Sequence, residues 1–466
     1  MSTDPTPYDG DLPPEFVELF RALFGDQADE AMAAFREQGF DPRQVVEAAG
    51  LAPNAANLGF LVEQIRRVMQ APHSDQPVNW ELAHDTARQA AIAGGPDPVV
   101  SDSAARAVTE ALNLAELWLD RATELSRAGG PARALSAAQW VEAALPQWQA
   151  ITTPVAKSMK QAMTQVITKQ QEEHPGLGEA MAGATNMVQG IAGGMFGMQL
   201  GQAIGQLARE VFGFTDNGLP MGGRGVTALL PSSVAAFTEG TGLPADEVRL
   251  FLAAREAAHA RLFTHVPWLA DHLFGAVEAY AAGISIDLDR LEEAVRDINP
   301  QDPSSLRQAL SSGVFEPDLS PAQQSALARL ETTLALVEGW VDVVVADALT
   351  PNLPDVAALR ELMRRRRAEG GPAEHTFTTL VGLELRPRRA REATRLWEAV
   401  ADQLGQVERE AVWGHPDLLP LSEDLDQPEQ FPSRLPERRQ ADAAFDAELA
   451  AFLEAEGGSG GPEPGA

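Results

Sequence analysis

The chain has 466 residues, so at about 150 residues per domain its length suits one large domain or about three ordinary ones. It carries 36 Lys and Arg against 67 Asp and Glu, and a net charge of -31 opposes binding to nucleic acid or insertion into an anionic membrane. The absence of cysteine excludes disulfides, a thiol nucleophile, cysteine-ligated zinc and iron–sulfur clusters, leaving any metal to His, Asp and Glu.

In chain order, residues 1–14 are acidic and Pro-rich, without the basic and apolar blocks of a signal peptide, and are expected to be disordered in a cytoplasmic protein. Residues 15–71 read as a small helical unit, with Phe16, Leu19, Phe20 and Leu23 on one face and Leu58, Leu61, Val62 and Ile65 on another. A Pro-containing linker follows, and an Ala-rich helical region spans 78–212, with Trp118, Trp140 and Trp148 expected at helix contacts. Gly193, Gly197, Gly201 and Gly205 recur every four residues and form a ridge on which a second helix can lie closely. Gln189, Gln199 and Gln202 make the same stretch too polar to span a bilayer.

The Gly-rich segment 216–224 reads as a loop; it lacks the lysine of a phosphate-binding loop. Residues 226–237 are the most strand-like of the chain, confined to an edge by Pro231. From 416 to 466 the chain is Pro-rich and acidic, and is expected to be largely disordered apart from a short helix near 441–453. The composite expectation is a mainly α protein with at most a small β element.

The chemistry concentrates in 242–269 and 320–349. Pro244, Asp246 and Glu247 mark a helix start, and the helix predicted from there stops before Pro267. At about 100° per residue, Val248, Leu252, Arg255, His259 and Leu262 share one face, so an Arg and a His sit on an apolar stripe where burial demands partners. The run Arg255-Glu256-Ala257-Ala258-His259 is one substitution from HExxH, in which two histidines at i and i+4 hold zinc and the Glu activates its water. The second His and the Glu are present, but Arg255 has no lone pair for a metal. On the helix beginning at Ser320 and Pro321, Glu338 shares an apolar face with Leu334, Val341 and Val345, and Asp342 follows one turn on. Gly339 leaves room there for another backbone.

Together the REAAHARLF run, the GLPADEVRLFLA before it, the HVPWL after it, the LVEGWVD helix and LVGLELRPRRAREATRLW resemble the actinobacterial zincin-like hydrolases. These are often labelled zinc-dependent metalloproteases and have a sister branch associated with deazaflavin-cofactor biosynthesis. The resemblance covers 78–415 and implies a zincin-like domain there. It implies zinc held at positions 255 and 259 and by Glu338, with Glu256 as general base. Arg255 departs from that pattern.

Two functions follow. In one, the HExxH-degenerate chain is a non-catalytic binding or scaffold protein for a protein or peptide partner, and Arg255 replaces the metal by pairing with Glu338 or Glu256. In the other, it is an active metal-dependent hydrolase or peptidase, with Glu256 as base and an unconventional metal site that draws on His259, Glu338 and one of His265, His272 or Asp342. Residues 360–395 hold 10 Arg and 5 Glu and read as a solvated helix face or a dock for the acidic tail, rather than as a phosphate or RNA patch. No GxSxG elbow supports a serine nucleophile.

Overall fold

The computed structural model describes residues 76–93, 95, 97–173, 178–284, 319–369 and 388–440. The order is α1 (Trp80–Ala93), α2 (Asp102–Leu119), β1 (Ala132–Ala134), α3 (Ala137–Glu173), α4 (Gly178–Leu207), β2 (Thr227–Leu229) and α5 (Pro231–Glu239). Next come α6 (Ala245–His265), α7 (Pro267–Ala281), α8 (Pro321–Leu349), α9 (Val356–Ala368), α10 (Ala390–Leu404) and α11 (Gln406–Ala411), then short 3₁₀ turns to 430. The fold is mainly α with one two-stranded sheet. The expected helical unit at 15–71 and the ends 1–14 and 441–466 lie outside the described residues.

The chain divides into two units, one of Met1–Asp85, Thr153–Gly201 and Ala282–Ser320, the other of Thr86–Thr152, Gln202–Ala281 and Pro321–Ala466. In the first, Asn79 caps α1 by accepting from Leu82 N at 3.0 Å, and its own N–H donates to Gly193 O at 3.3 Å. A Cβ on Gly197 would fall 2.7 Å from Asn79 O, so the glycine ridge admits the chain leading into α1. In the second unit, Gly205 does the same for α1: its Cβ would lie 2.4 Å from Ala87 O. No described helix is long and apolar enough to cross a membrane.

The second unit is built around α6. Every residue from Leu250 to Leu262 is buried, so the helix is covered on all sides rather than along the one stripe its spacing suggests. Ala253, Ala254, Ala257 and Ala258 make this possible by letting α2, α8 and β2 come close. Arg261 ties α6 to the end of α2, donating to Glu116 Oε2 and Asp120 Oδ1, each at 2.7 Å, and to Leu125 O at 3.0 Å.

Helix α8 is buried without a break from Thr333 to Val345, and α10 crosses it at Gly339, where a Cβ would lie 2.7 Å from Ala393. Trp397 stacks on Trp413 at 5.2 Å and donates to Leu336 O at 2.8 Å; Trp340 donates to Glu410 Oε2 at 2.6 Å. Each such ring buries roughly 150–250 Å², on the order of 4–6 kcal/mol before entropy at about 25 cal/mol per Å².

Two expectations are corrected here. The strand-like run at 226–237 divides at Pro231: β2 stops at Leu229 and Pro231 opens α5. The preset φ and missing N–H of proline suit the first position of a helix better than an edge strand. β2 pairs parallel with β1, Arg133 opposite Ala228, a strand too short for alternation to reveal.

The boundary at 415 also falls short, because 416–440 is ordered structure. Leu425, Phe431 and Leu435 are buried there. Asp424 accepts from Arg438 at 2.6 Å and lies 3.0 Å from Arg434. Counting net charge missed that these acids and arginines pair with one another around an apolar anchor.

Candidate functional site

Helices α6, α8 and α9 converge on Glu338. Arg255 Nη2 donates to Glu338 Oε2 at 2.7 Å, and His259 Nε2 lies 3.3 Å from Glu338 Oε1. The Arg255 and His259 side chains are four residues apart on α6, so they meet Glu338 side by side. The other ring nitrogen of His259 donates to Arg255 O at 2.8 Å, which fixes the ring against its own helix. The side chains of Arg255, His259 and Glu338 are 8 %, 1 % and 2 % exposed, so this cluster is dry.

A second guanidinium completes it. Arg367, at the end of α9, grips Glu338 in a fork, donating to Oε2 and, at 2.7 Å, to Oε1. Burial alone would push the Glu338 carboxyl up, but Arg367, Arg255 and His259 together hold it well below the usual carboxylate range. Burial pulls the Arg255 guanidinium down, with Arg367 adding to that and Glu338 and Asp342 opposing it.

Asp342, one turn along α8, is taken by Arg360 through a second fork of 2.9 and 2.7 Å, with Arg364 at 3.4 Å. Burial raises its carboxyl, and the Arg360 pairing outweighs this to leave it lowered. Above the cluster, Gly218 adopts φ +77°, and a Cβ there would lie 3.5 Å from Glu338 Oε1. The Gly-rich loop therefore covers the carboxylate with backbone, and Asp216 anchors it by accepting from Arg366 Nη1 at 2.9 Å. Among the described residues of the arginine island, Arg360, Arg364, Arg366 and Arg367 turn inward to carboxylates, while Arg365, Arg388, Arg391 and Arg395 are exposed. Arg389 bonds Asp426 at 2.6 Å, in the segment expected to be tail.

Glu256 points elsewhere. Its Oε1 accepts from Phe214 N and Ala228 N, both at 3.1 Å; its Oε2 accepts from Thr215 N at 3.1 Å and Thr215 Oγ1 at 2.6 Å. These four donors fill the acceptor positions of the carboxylate, leaving none to take a proton from water in this arrangement. Burial pushes its carboxyl up, and the Thr215 hydroxyl with the Ala228 and Phe214 amides oppose this without cancelling it. The contact ties α6 to β2 and the 213–215 turn, where a Cβ on Gly213 would come within 2.6 Å of Glu256 Oε2.

Of the sequence-predicted residues, Arg255, His259 and Glu338 come together, Asp342 lies next to them held by Arg360, and Glu256 bonds instead to the 214–215 turn and β2. His265 is exposed at the end of α6, and His272 packs edge-on to Trp268 at 5.7 Å. Sequence reasoning missed Arg367 and Thr215; the cluster of arginines after 360 was the signal for the first, and nothing in the pattern marked the second.

This donor set does not fit a catalytic zinc. Such a site needs three protein ligands with free lone pairs and an open position. Arg255 offers none, and both oxygens of Glu338 are engaged by guanidiniums. Among the described residues no group of three or more His, Asp or Glu could hold a metal.

A family model described as Zincin-like metallopeptidase matches residues 78–431. Among curated proteins nothing matches the chain. In solved structures, a Chloroflexus aurantiacus protein described as a "putative hydrolase with a novel fold" is similar, with a TM-score of 0.52 and 19 % identity over 77 % of this chain and 98 % of that one.

Proposed function

The chain belongs to the zincin-like metallopeptidase family, and we propose that within it this chain is a metal-free, non-catalytic binding module for a protein or peptide partner. One observation carries this reading: the Glu338 carboxylate, which the family resemblance would make a zinc ligand, is paired with Arg255 and Arg367. A metal normally brings two positive charges to such a site, and two guanidiniums bring the same charge without an open coordination position. In this reading Arg255 stands for the metal, Glu338 is its counter-charge, and Glu256 is a strut between α6 and β2. Cofactor binding is then no part of the function, and what the fold retains is a rigid scaffold able to hold another chain.

Metal analysis tests the proposal. After dialysis against a weak chelator the protein should retain far less than one zinc per chain. The double variant Arg255→His/Arg367→Ala should take up about one, since it restores a third lone-pair ligand and frees Glu338. Its melting temperature should then rise with added zinc, while that of the natural protein stays put. One tightly held zinc in the natural protein, with peptide hydrolysis abolished by Glu256→Gln, would overturn the reading and leave an active hydrolase.

A further inference from the structure

The Glu338 carboxylate is closed to solvent, but the neighbouring face of α6 borders a cavity of about 190 Å³. Glu256, Ala260 and Thr264 follow one another at i, i+4 and i+8 along that face, and Thr215, the hydroxyl partner of Glu256, lines the cavity with Ala260 and Thr264. Phe214, Phe263 and Phe274 supply aromatic wall from three different segments. The rim is the glycine loop, where Gly223 and Arg224 are exposed.

Two features give this cavity a ligand chemistry. Its volume is that of one ring: an apolar cavity of about 150 Å³ takes up benzene. Arg224 is held at the rim by donating through Nη2 to Thr264 O at 3.0 Å, which keeps a positive charge beside an aromatic hole in a protein of net charge -31. The Thr264 hydroxyl is buried and has no hydrogen-bond partner among the described residues. Gln147 steadies the loop by donating to Gly222 O at 3.3 Å. Gly222 itself is packed on the Phe214 ring, where a Cβ would come within 2.5 Å, so the loop cannot carry a side chain there without shifting the wall.

We infer that this cavity binds an aryl carboxylate, with the ring among Phe214, Phe263 and Phe274 and the carboxylate on Arg224. The carboxylate is either that of a free aryl acid or the C-terminus of a peptide ending in an aromatic residue. For a peptide C-terminus the inference rests on the binding role proposed above, for a free acid it goes beyond that role, and no part of it depends on a metal.

Calorimetric titration of the full chain tests it with 3-phenylpropionate, its neutral amide, and acetyl-Gly-Gly-Phe with a free carboxylate. The acids should bind, with the amide and the Arg224→Gln variant each weaker by roughly fivefold, the worth of one exposed charge contact. Ala270→Phe, at a half-buried lining position of α7, should abolish binding by filling the hole, with the melting temperature of the free protein reporting that it still folds. Tighter binding of the peptide than of the small acid assigns the site to a C-terminus, and equal or weaker binding assigns it to a free acid. No binding by any probe, or binding that neither variant changes, overturns the inference. A protein that binds the probes but holds zinc would instead sink only the metal-free reading, so the two failures stay distinct.

Discussion

Replacing Glu338 with Gln keeps the shape of the side chain, removes its charge and turns one acceptor oxygen into a donor. In the folded protein that charge faces Arg255, 8 % exposed, and Arg367, 22 % exposed, with His259 at 3.3 Å. The glutamine amide has one acceptor oxygen for these donors and turns its own N–H groups toward guanidiniums that can only donate. Removing one member of a buried ion pair typically costs about 3–5 kcal/mol, and among the described residues Arg255 is left with no other carboxylate in hydrogen-bond contact. Against a total stability of about 5–15 kcal/mol this is a large fraction. Urea unfolding followed by tryptophan fluorescence reads it directly, because Trp340, Trp397 and Trp413 are buried in the same unit. The midpoint should fall sharply with the slope unchanged. The companion variant Arg255→Met/Glu338→Met should recover most of the loss, although Arg367 then loses its partner as well, since apolar replacement of a buried pair is often neutral. A loss below about 1 kcal/mol for Glu338→Gln, the range of a surface pair, would refute the claim that arginines neutralise this carboxylate in solution.

The remaining predictions concern pH and Glu256. Glu338 and Asp342 are both lowered on folding, so their stabilisation is full above the ordinary values of 4.5 and 3.8 and is lost as pH falls through the lowered ones; Glu338→Gln should flatten the acid limb of the stability curve. Glu256 is raised, so its contribution has the opposite sign and declines as pH climbs from 4.5 through the raised value. Glu256→Gln should cost about 1–3 kcal/mol at neutral pH by setting an amide against the three backbone N–H groups it now serves, and an unchanged melting temperature would argue that the strut is not formed.

Much of this arrangement was legible in the sequence, and the limits follow from range. Helical periodicity placed Arg255 and His259 on one apolar stripe and Glu338 on another, where polar residues need partners, and the family resemblance implied that the three meet. The close approach at Gly339 was legible for the same reason: a glycine inside a helix has little use except contact. Arg367 was hidden because its partner is 29 residues away on another helix, and no local pattern distinguishes an inward arginine from an outward one in Arg364-Arg365-Arg366-Arg367. Glu256 was misdirected by the motif itself. HExxH assigns the Glu a face toward the metal, whereas the direction of this side chain is set by donors on a three-residue strand and a turn that periodicity does not see.

The two carboxylates of the motif reading thus make different contacts: Glu338 meets two guanidiniums, and Glu256 ties α6 to β2. A metal site imposes two demands on the protein: neutralise a buried carboxylate, and hold helices at a fixed separation. Arg255 and Arg367 meet the first from α6 and α9, and their forked geometry also meets the second, since a guanidinium bonds a carboxylate over a narrow range of angle and distance. Lysine in either position would supply the charge but not the fixed geometry. While Glu338 is present these guanidiniums are spent on pairing it, and a ligand site has to be sought on a face of α6 that this network leaves open. The cavity beside Phe263 lies on such a face.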